Sequence, residues 1–218
     1  MSVTLIITII TVLVSLAGFR SQKVINALIF YPPAVTQKKE YYRFVTCGFI
    51  HADLAHLAFN MISFYLFSES LVEPAFIEYF GEYGKFALVL MYFAALVVCL
   101  LPTYFKNKNN QNYQSLGASG AVSAVVFAGL MISPLSQIGF FIIPPIIPGF
   151  IFGPLYLLIS FYMDKRGGDN INHSAHIWGA IFGLAFIIIA TKLYSNTDIV
   201  TTFIDSVKFY FKSKFNLG

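Results

Sequence analysis

An all-α, polytopic membrane protein with six spanning helices is the fold this sequence predicts, and three observations carry it. Of the 218 residues, 57% are hydrophobic and only 11% are charged, with a mean hydropathy of +0.73. A soluble domain carries about 25% charged residues. Six stretches (3–19, 50–67, 86–101, 116–132, 146–163 and 176–194) are apolar over lengths close to the roughly 17–25 residues of a crossing helix. The stretches between them are polar, charged or broken by proline. One membrane domain, 1–194, accounts for the six segments, and 195–218 forms a tail.

Each segment has its own justification. "MSVTLIITIITVLVSLAGFR" has no basic residues ahead of its apolar run, so it reads as a first span and not as a signal peptide. The following "RSQKVINALIFYPPAVTQKKEYYR" mixes charges with apolar residues around a Pro-Pro break, which places part of it in the membrane interface. "SESLVEPAFIEYFGEYGK" reads as an acidic connection and "PTYFKNKNNQNYQ" as a polar loop. "SPLSQIGFFIIPPIIPGF" is apolar but has too many prolines to be a regular helix throughout. "DKRGGDNINHSA" is polar with a Gly-Gly turn. In the tail, Ile199, Phe203, Val207 and Phe211 recur at helical spacing while Lys208 and Lys212 lie on another face. That pattern predicts an amphipathic helix lying in the interface.

The net charge of +4 is small and dispersed. It suits a chain among anionic lipids and gives no footprint for nucleic acid. Cys47 and Cys99 lie in different apolar regions without metal or redox spacing, and read as buried thiols.

The polar residues that remain inside apolar segments carry the chemistry, because ionisable groups in a membrane are costly. The four histidines, His51, His56, His173 and His176, all fall near the beginnings of the second and sixth segments. Ser119 falls near the beginning of the fourth, in "GASGAVSA". Even-numbered spans all start from one face of the membrane, so His56, Ser119 and His176 approach from the same side. Ser119 lies about 6 Å into its helix at 1.5 Å per residue, shallow enough for water. "HADLAHLAFN" places His56 and Asn60 at i and i+4 on one helical face. "AHIWGAIFG" puts His176 just ahead of Gly179 and Gly183, a small-residue face that admits a close neighbour. The small face around Gly117, Ser119, Gly120 and Ser123 is the natural partner.

A serine becomes a nucleophile when a base such as neutral imidazole lies beside it. The oxyanion formed on attack needs donors, which His56, Asn60 and the backbone N–H groups opening the fourth segment can supply. No carboxylate has an evident claim to a third position, so a dyad is the simpler arrangement. No metal or other cofactor is called for. Four histidines could bind zinc, but the i+4 partner of His56 is Asn60 and there is no H-E-x-x-H. A transporter would show broken helices repeated in two halves, and no internal repeat is visible.

At these residues the chain resembles the rhomboid intramembrane serine proteases. The resemblance rests on "YYRFVTCGFIHADLAHLAFN", "GASG" and "HSAHIWGAIFG", in that order, on the second, fourth and sixth spans. It implies Ser119 as nucleophile and His176 as base and then acid, with His56, Asn60 and the Ser119 N–H at the oxyanion. It further implies single-span membrane proteins as substrates, cut in or near the bilayer, and a fifth loop that caps the site. Two departures stand out. Tyr42-Arg43 replaces the family's frequent Trp-Arg, and Ser123 occupies a position where some members stack a ring on the catalytic histidine. The alternative within the same resemblance is a non-catalytic factor that binds membrane proteins, against which the intact serine and histidine argue.

Orientation is where two rules conflict. Loops one, three and five hold nine of the fourteen Lys and Arg residues, and the positive-inside rule would turn that face to the cytoplasm. The resemblance implies a bacterial inner membrane protein with the site facing outward. The basic tail suits the same topology.

Overall fold

The computed structural model describes residues 1–140 and 143–215. Helix α1 (Val3–Arg20) opens the chain, and the Ser2 hydroxyl caps it by accepting from the Leu5 N–H at 3.2 Å. A second cap comes from far along the sequence. The buried Glu73 carboxylate accepts from the N–H groups of Val3 and Thr4, both at 3.0 Å, and from the Thr4 hydroxyl at 2.7 Å. A carboxylate at a helix N-terminus meets both unpaired donors and the positive end of the dipole. The "acidic connection" therefore contributes a buried carboxylate side chain to the start of α1.

The first connection folds into three short helices, α2 (Gln22–Leu28), α3 (Pro32–Lys38) and α4 (Arg43–Thr46). Arg43 ties them together. It is buried, and it donates to the carbonyls of Asn26 at 3.0 Å and Ile29 at 2.7 Å while pairing with Glu40. That contact holds the Glu40 carboxyl below its ordinary range. The tyrosine at position 42 lies beside Arg43, with the guanidinium 5.4 Å from its ring centroid. The anchoring function thus resides in the arginine.

A succession of helices between Leu54 and Asn107 follows. It contains α5 (Leu54–Phe67), a π-turn at Ser68–Val72, α6 (Glu73–Phe80), α7 (Gly84–Val98) and α8 (Leu101–Asn107). The join between α6 and α7 is made by glycines. Gly81 takes a φ of +57°, and a Cβ on Gly84 would lie 2.5 Å from the Phe76 carbonyl oxygen. Part of the stretch expected to be a polar loop, up to Asn107, is helical. Pro102 stands in the first turn of α8, where its missing N–H costs nothing.

Helix α9 (Ser119–Ile132) is the centre of the molecule. Eleven of its fourteen residues are buried, which fits a helix that is apolar on every side. Around it lie α5, α7, α10 (Gly149–Arg166) and α11 (His173–Tyr194). Phe64, Leu88, Tyr92, Ala121, Val125 and Ile187 are among the side chains closing the core. A 3.2 Å contact links Ser123 of α9 to the phenol of Tyr156 on α10.

The described residues are mostly helical, and a pair of short strands departs from the expected all-helical fold. Gln137–Phe140 (β1) and Ile143–Pro148 (β2) pair antiparallel, so the fifth helix, expected at 146–163, starts later, at Gly149, and runs on to Arg166. Pro144, Pro145 and Pro148 cannot donate to a helical ladder, which delays the helix until they are passed. Val3–Arg20, Leu54–Asn107 and His173–Tyr194 are long and apolar enough to cross a membrane; α9 is a shorter apolar helix. Helix α10 ends on Asp164, Lys165 and Arg166. The tail forms α12 (Ile199–Phe215). It turns Ile199 inward and sets Tyr210 and Phe211 at 5.3 and 5.8 Å from the Phe150 ring on α10.

Candidate active site

The stretch leading into α9 is fixed before the helix begins. Phe30 and Ser115 exchange two backbone hydrogen bonds of 3.0 Å, and the Gly117 N–H donates to the Cys47 carbonyl at 2.9 Å. Gly117 takes a φ of +110°, where side chains are strained, and a Cβ there would also strike the His56 ring at 2.7 Å. Glycine at 117 is therefore required twice over. The chain then enters α9 with no side chain capping its first turn, so the helix presents backbone N–H groups and the positive end of its dipole at Ser119.

Across from it, α11 is capped by Asn172, whose side-chain oxygen accepts from the Ala175 N–H and from the Thr103 hydroxyl, both at 3.1 Å. That cap sets the start of α11, and hence the position of His176 one turn further on. The faces of α9 and α11 meet through glycine. A Cβ on Gly179 would lie 2.0 Å from the Gly120 carbonyl oxygen, and one on Gly183 would lie 2.1 Å from that of Ala124. With nothing between the two backbones, His176 Nε2 lies 2.7 Å from Ser119 Oγ. This is a short hydrogen bond between a hydroxyl and an imidazole, and it joins residues 57 apart in sequence.

The other two predicted residues come from α5. Asp53 caps that helix by accepting from the His56 N–H at 2.7 Å. His56 Nδ1 accepts from the Ala52 N–H at 3.5 Å, which leaves Nε2 to carry the proton on the side of the ring facing Gly117. Asn60 is buried and gives one amide proton to the His56 carbonyl at 2.9 Å. An amide nitrogen has two protons, so one donor remains. His56, Asn60, Ser119 and His176 all line one cavity of about 720 Å³, whose rim includes Asn170, Ile171 and Asn172 of the connection before α11. A second, largely apolar cavity of about 500 Å³ reaches Ser119, Asn60 and His176 from between α5, α10 and the strand pair.

Sequence alone gives His51 and His173 no task, and the structure gives each a supporting one. His51 is buried; its Nδ1 lies 2.9 Å from the Ser15 hydroxyl, and its Nε2 accepts from the Ala118 N–H at 3.4 Å. Its ring meets the His56 ring edge-on at 4.9 Å. His173 pairs with Asp169 at 3.0 Å and presents its ring edge-on to His176 at 5.9 Å. The Asp169 carboxyl, outside the helix, is held below its ordinary range by that bond. The thiols of Cys47 and Cys99 are free and buried.

Residues 38–193 match the Rhomboid domain family. The chain is 29% identical over 201 residues to the Rhomboid protease GlpG of Haemophilus influenzae, covering 89% of this chain and 94% of that one. It is 28% identical over 148 residues to the RHOMBOID-like protein 12, mitochondrial, of Arabidopsis thaliana, with 62% of this chain and 42% of that one covered. A Danio rerio protein, Presenilin-associated rhomboid-like protein A, mitochondrial, is likewise 28% identical over 147 residues, covering 66% and 36%. The chain belongs to the rhomboid family. Family and apolar helices together make it an integral, multi-pass membrane protein.

Proposed function

We propose that this protein is an intramembrane serine protease that cleaves single-span membrane proteins in or near the bilayer. The observation that carries the proposal is the 2.7 Å contact between Ser119 Oγ and His176 Nε2 beside a cavity of about 720 Å³. Ser119 Oγ attacks a peptide carbonyl carbon while His176 Nε2 takes its proton. The resulting oxyanion receives hydrogen bonds from the Ser119 N–H, His56 Nε2 and the spare Asn60 amide proton. The tetrahedral centre then collapses. The C–N bond breaks, His176 returns the proton to the leaving amine, and an ester to Ser119 remains. Water, deprotonated by His176, hydrolyses that ester. No cofactor enters any step. The test is cleavage of a single-span model substrate by the purified protein, with Ser119→Ala as the inactive control. A protein that merely bound its clients would cleave nothing.

In the same reading α1, α5, α7, α9, α10 and α11 are the six spans of a membrane domain at 1–194, and 195–218 lies at the interface. Exposed Val200, Ile204, Phe211 and Phe215 give α12 an apolar strip beside Lys208 and Lys212, the surface that suits anionic headgroups. On this reading α12 lies on the cytoplasmic side and the site on the other, in a bacterial inner membrane, and the basic residues of the tail support that orientation. Substrate enters from the bilayer.

The oxyanion assignment has its own expected result. Losing one preorganised donor costs about 10²–10³ in rate. His56→Ala and Asn60→Ala should each lower kcat by that order of magnitude while Ser119 still reacts slowly with an activated phosphonate. Wild-type turnover in both variants would remove these residues from the site.

A further inference from the structure

We propose that Tyr156, on α10, is the positioning residue for the His176 imidazole, so that placement of the base depends on how α10 is seated. The proposal rests on reading Ser119 and His176 as the dyad. An imidazole that must keep Nε2 on a serine hydroxyl needs its ring plane held, because rotation about its own axis swings the nitrogen away. One turn beyond the nucleophile on α9, where a ring could have done this, the chain has Ser123. The ring arrives from the neighbouring helix. The Tyr156 and His176 planes are inclined by only 26° with centroids 6.5 Å apart, within the range of offset-stacked pairs.

Tyr156 is itself fixed from three directions. Its hydroxyl lies 3.2 Å from Ser123 Oγ, so the serine anchors the ring it does not supply. Phe127 of α9 packs on it at 5.7 Å. Phe152, one turn earlier on α10, stacks at 5.9 Å and 30°. Phe152, Tyr156 and His176 thus form a continuous file of near-parallel rings, the first two at i and i+4 on one helical face. Among the described residues no carboxylate hydrogen-bonds to His176, and its other ring neighbour, His173, meets it edge-on at 81°. Face-on support therefore comes from Tyr156. Tyr156 and Phe152 also line the apolar cavity of about 500 Å³ between α5 and α10, so a shift of α10 there carries the ring with it.

The experiment uses the full chain in micelles, a single-span model substrate, and proton NMR of histidines labelled with 13C at Cε1. The His176 resonance is assigned by its absence in His176→Ala. A ring stacked on the imidazole shifts that resonance upfield, which a residue acting only on overall packing would not do. Tyr156→Leu should lower kcat about tenfold or more, as loss of orientation at a reacting centre does, and should release the His176 resonance from its upfield position. KM should change by less than about threefold, because substrate binding is not what is lost. Tyr156→Phe keeps the ring and should keep both the shift and most of the rate. Ser123→Tyr introduced into Tyr156→Ala returns a ring from α9 and should recover much of the lost kcat. Tyr156→Met, close in volume, gives the same readings should the leucine variant fold poorly. Wild-type kcat with an unmoved His176 resonance in Tyr156→Leu would overturn the proposal. So would a Tyr156→Phe as impaired as Tyr156→Leu. If wild-type protein cleaves nothing, the dyad reading fails, while the resonance still decides whether Tyr156 holds the ring.

Discussion

Gly183→Val and Gly179→Val are each expected to abolish cleavage and to lower the thermal stability of the folded protein sharply. Even the first atom of a new side chain has no room, since a Cβ would lie 2.1 Å from the Ala124 carbonyl oxygen or 2.0 Å from that of Gly120. The obstacle is backbone at the centre of the bundle, which cannot rotate aside as a side-chain end can. Overpacking a core costs about 1–3 kcal/mol where side chains can adjust, and here the helices themselves must part. Separating α9 from α11 moves Ser119 from His176, and a shift of about 1 Å in a reacting geometry can cost 10²-fold. Gly153→Ala is the control. Its Cβ would meet Leu130 and Phe127 at 3.4 and 3.5 Å, ordinary contact distances, so melting temperature and rate should stay near wild type. A Gly183→Val protein that melts and cleaves like wild type would show that the glycine contact does not set the site.

Removing the nucleophile, the base or both is the second large effect. Groups that act as one unit lose their whole contribution when either is removed. Ser119→Ala, His176→Ala and the double variant should therefore be inactive to a similar degree on a single-span substrate. Ser119→Ala removes one oxygen and leaves the surrounding packing, so the variant should melt close to wild type. Independent, multiplying losses in the two single variants would contradict a dyad.

The residues brought together in the site were legible in sequence for a physical reason. In an apolar chain the few ionisable side chains stand out, and six spans, as the sequence predicts, would start the second, fourth and sixth from one side. Ser119, His176, His56 and Asn60 line one cavity accordingly. The glycine face of α11 was legible too, because only a close neighbour explains Gly179 and Gly183 together.

What stayed hidden depends on partners distant in sequence. Glu73 looks like a loop charge until the N-terminus of α1, 69 residues away, supplies its donors. The prolines near 144–148 forbid a helix but do not state that the segment will pair with 137–140. Ser123 marks a missing ring, yet nothing in the local pattern of α10 says that Tyr156 fills the space. The helical start of the polar stretch after Leu100 was masked by its composition, since Lys and Asn say more about solvent than about backbone.

The most direct test of the central claim is mass spectrometry of the purified protein after treatment with a fluorophosphonate, which forms a covalent adduct only with a serine activated by a neighbouring base. The dyad predicts one adduct, on Ser119, forming in parallel with loss of cleavage activity, and none in His176→Ala under the same conditions. An adduct on another serine, or unmodified Ser119 in wild-type protein that is fully able to cleave its substrate, would contradict the account.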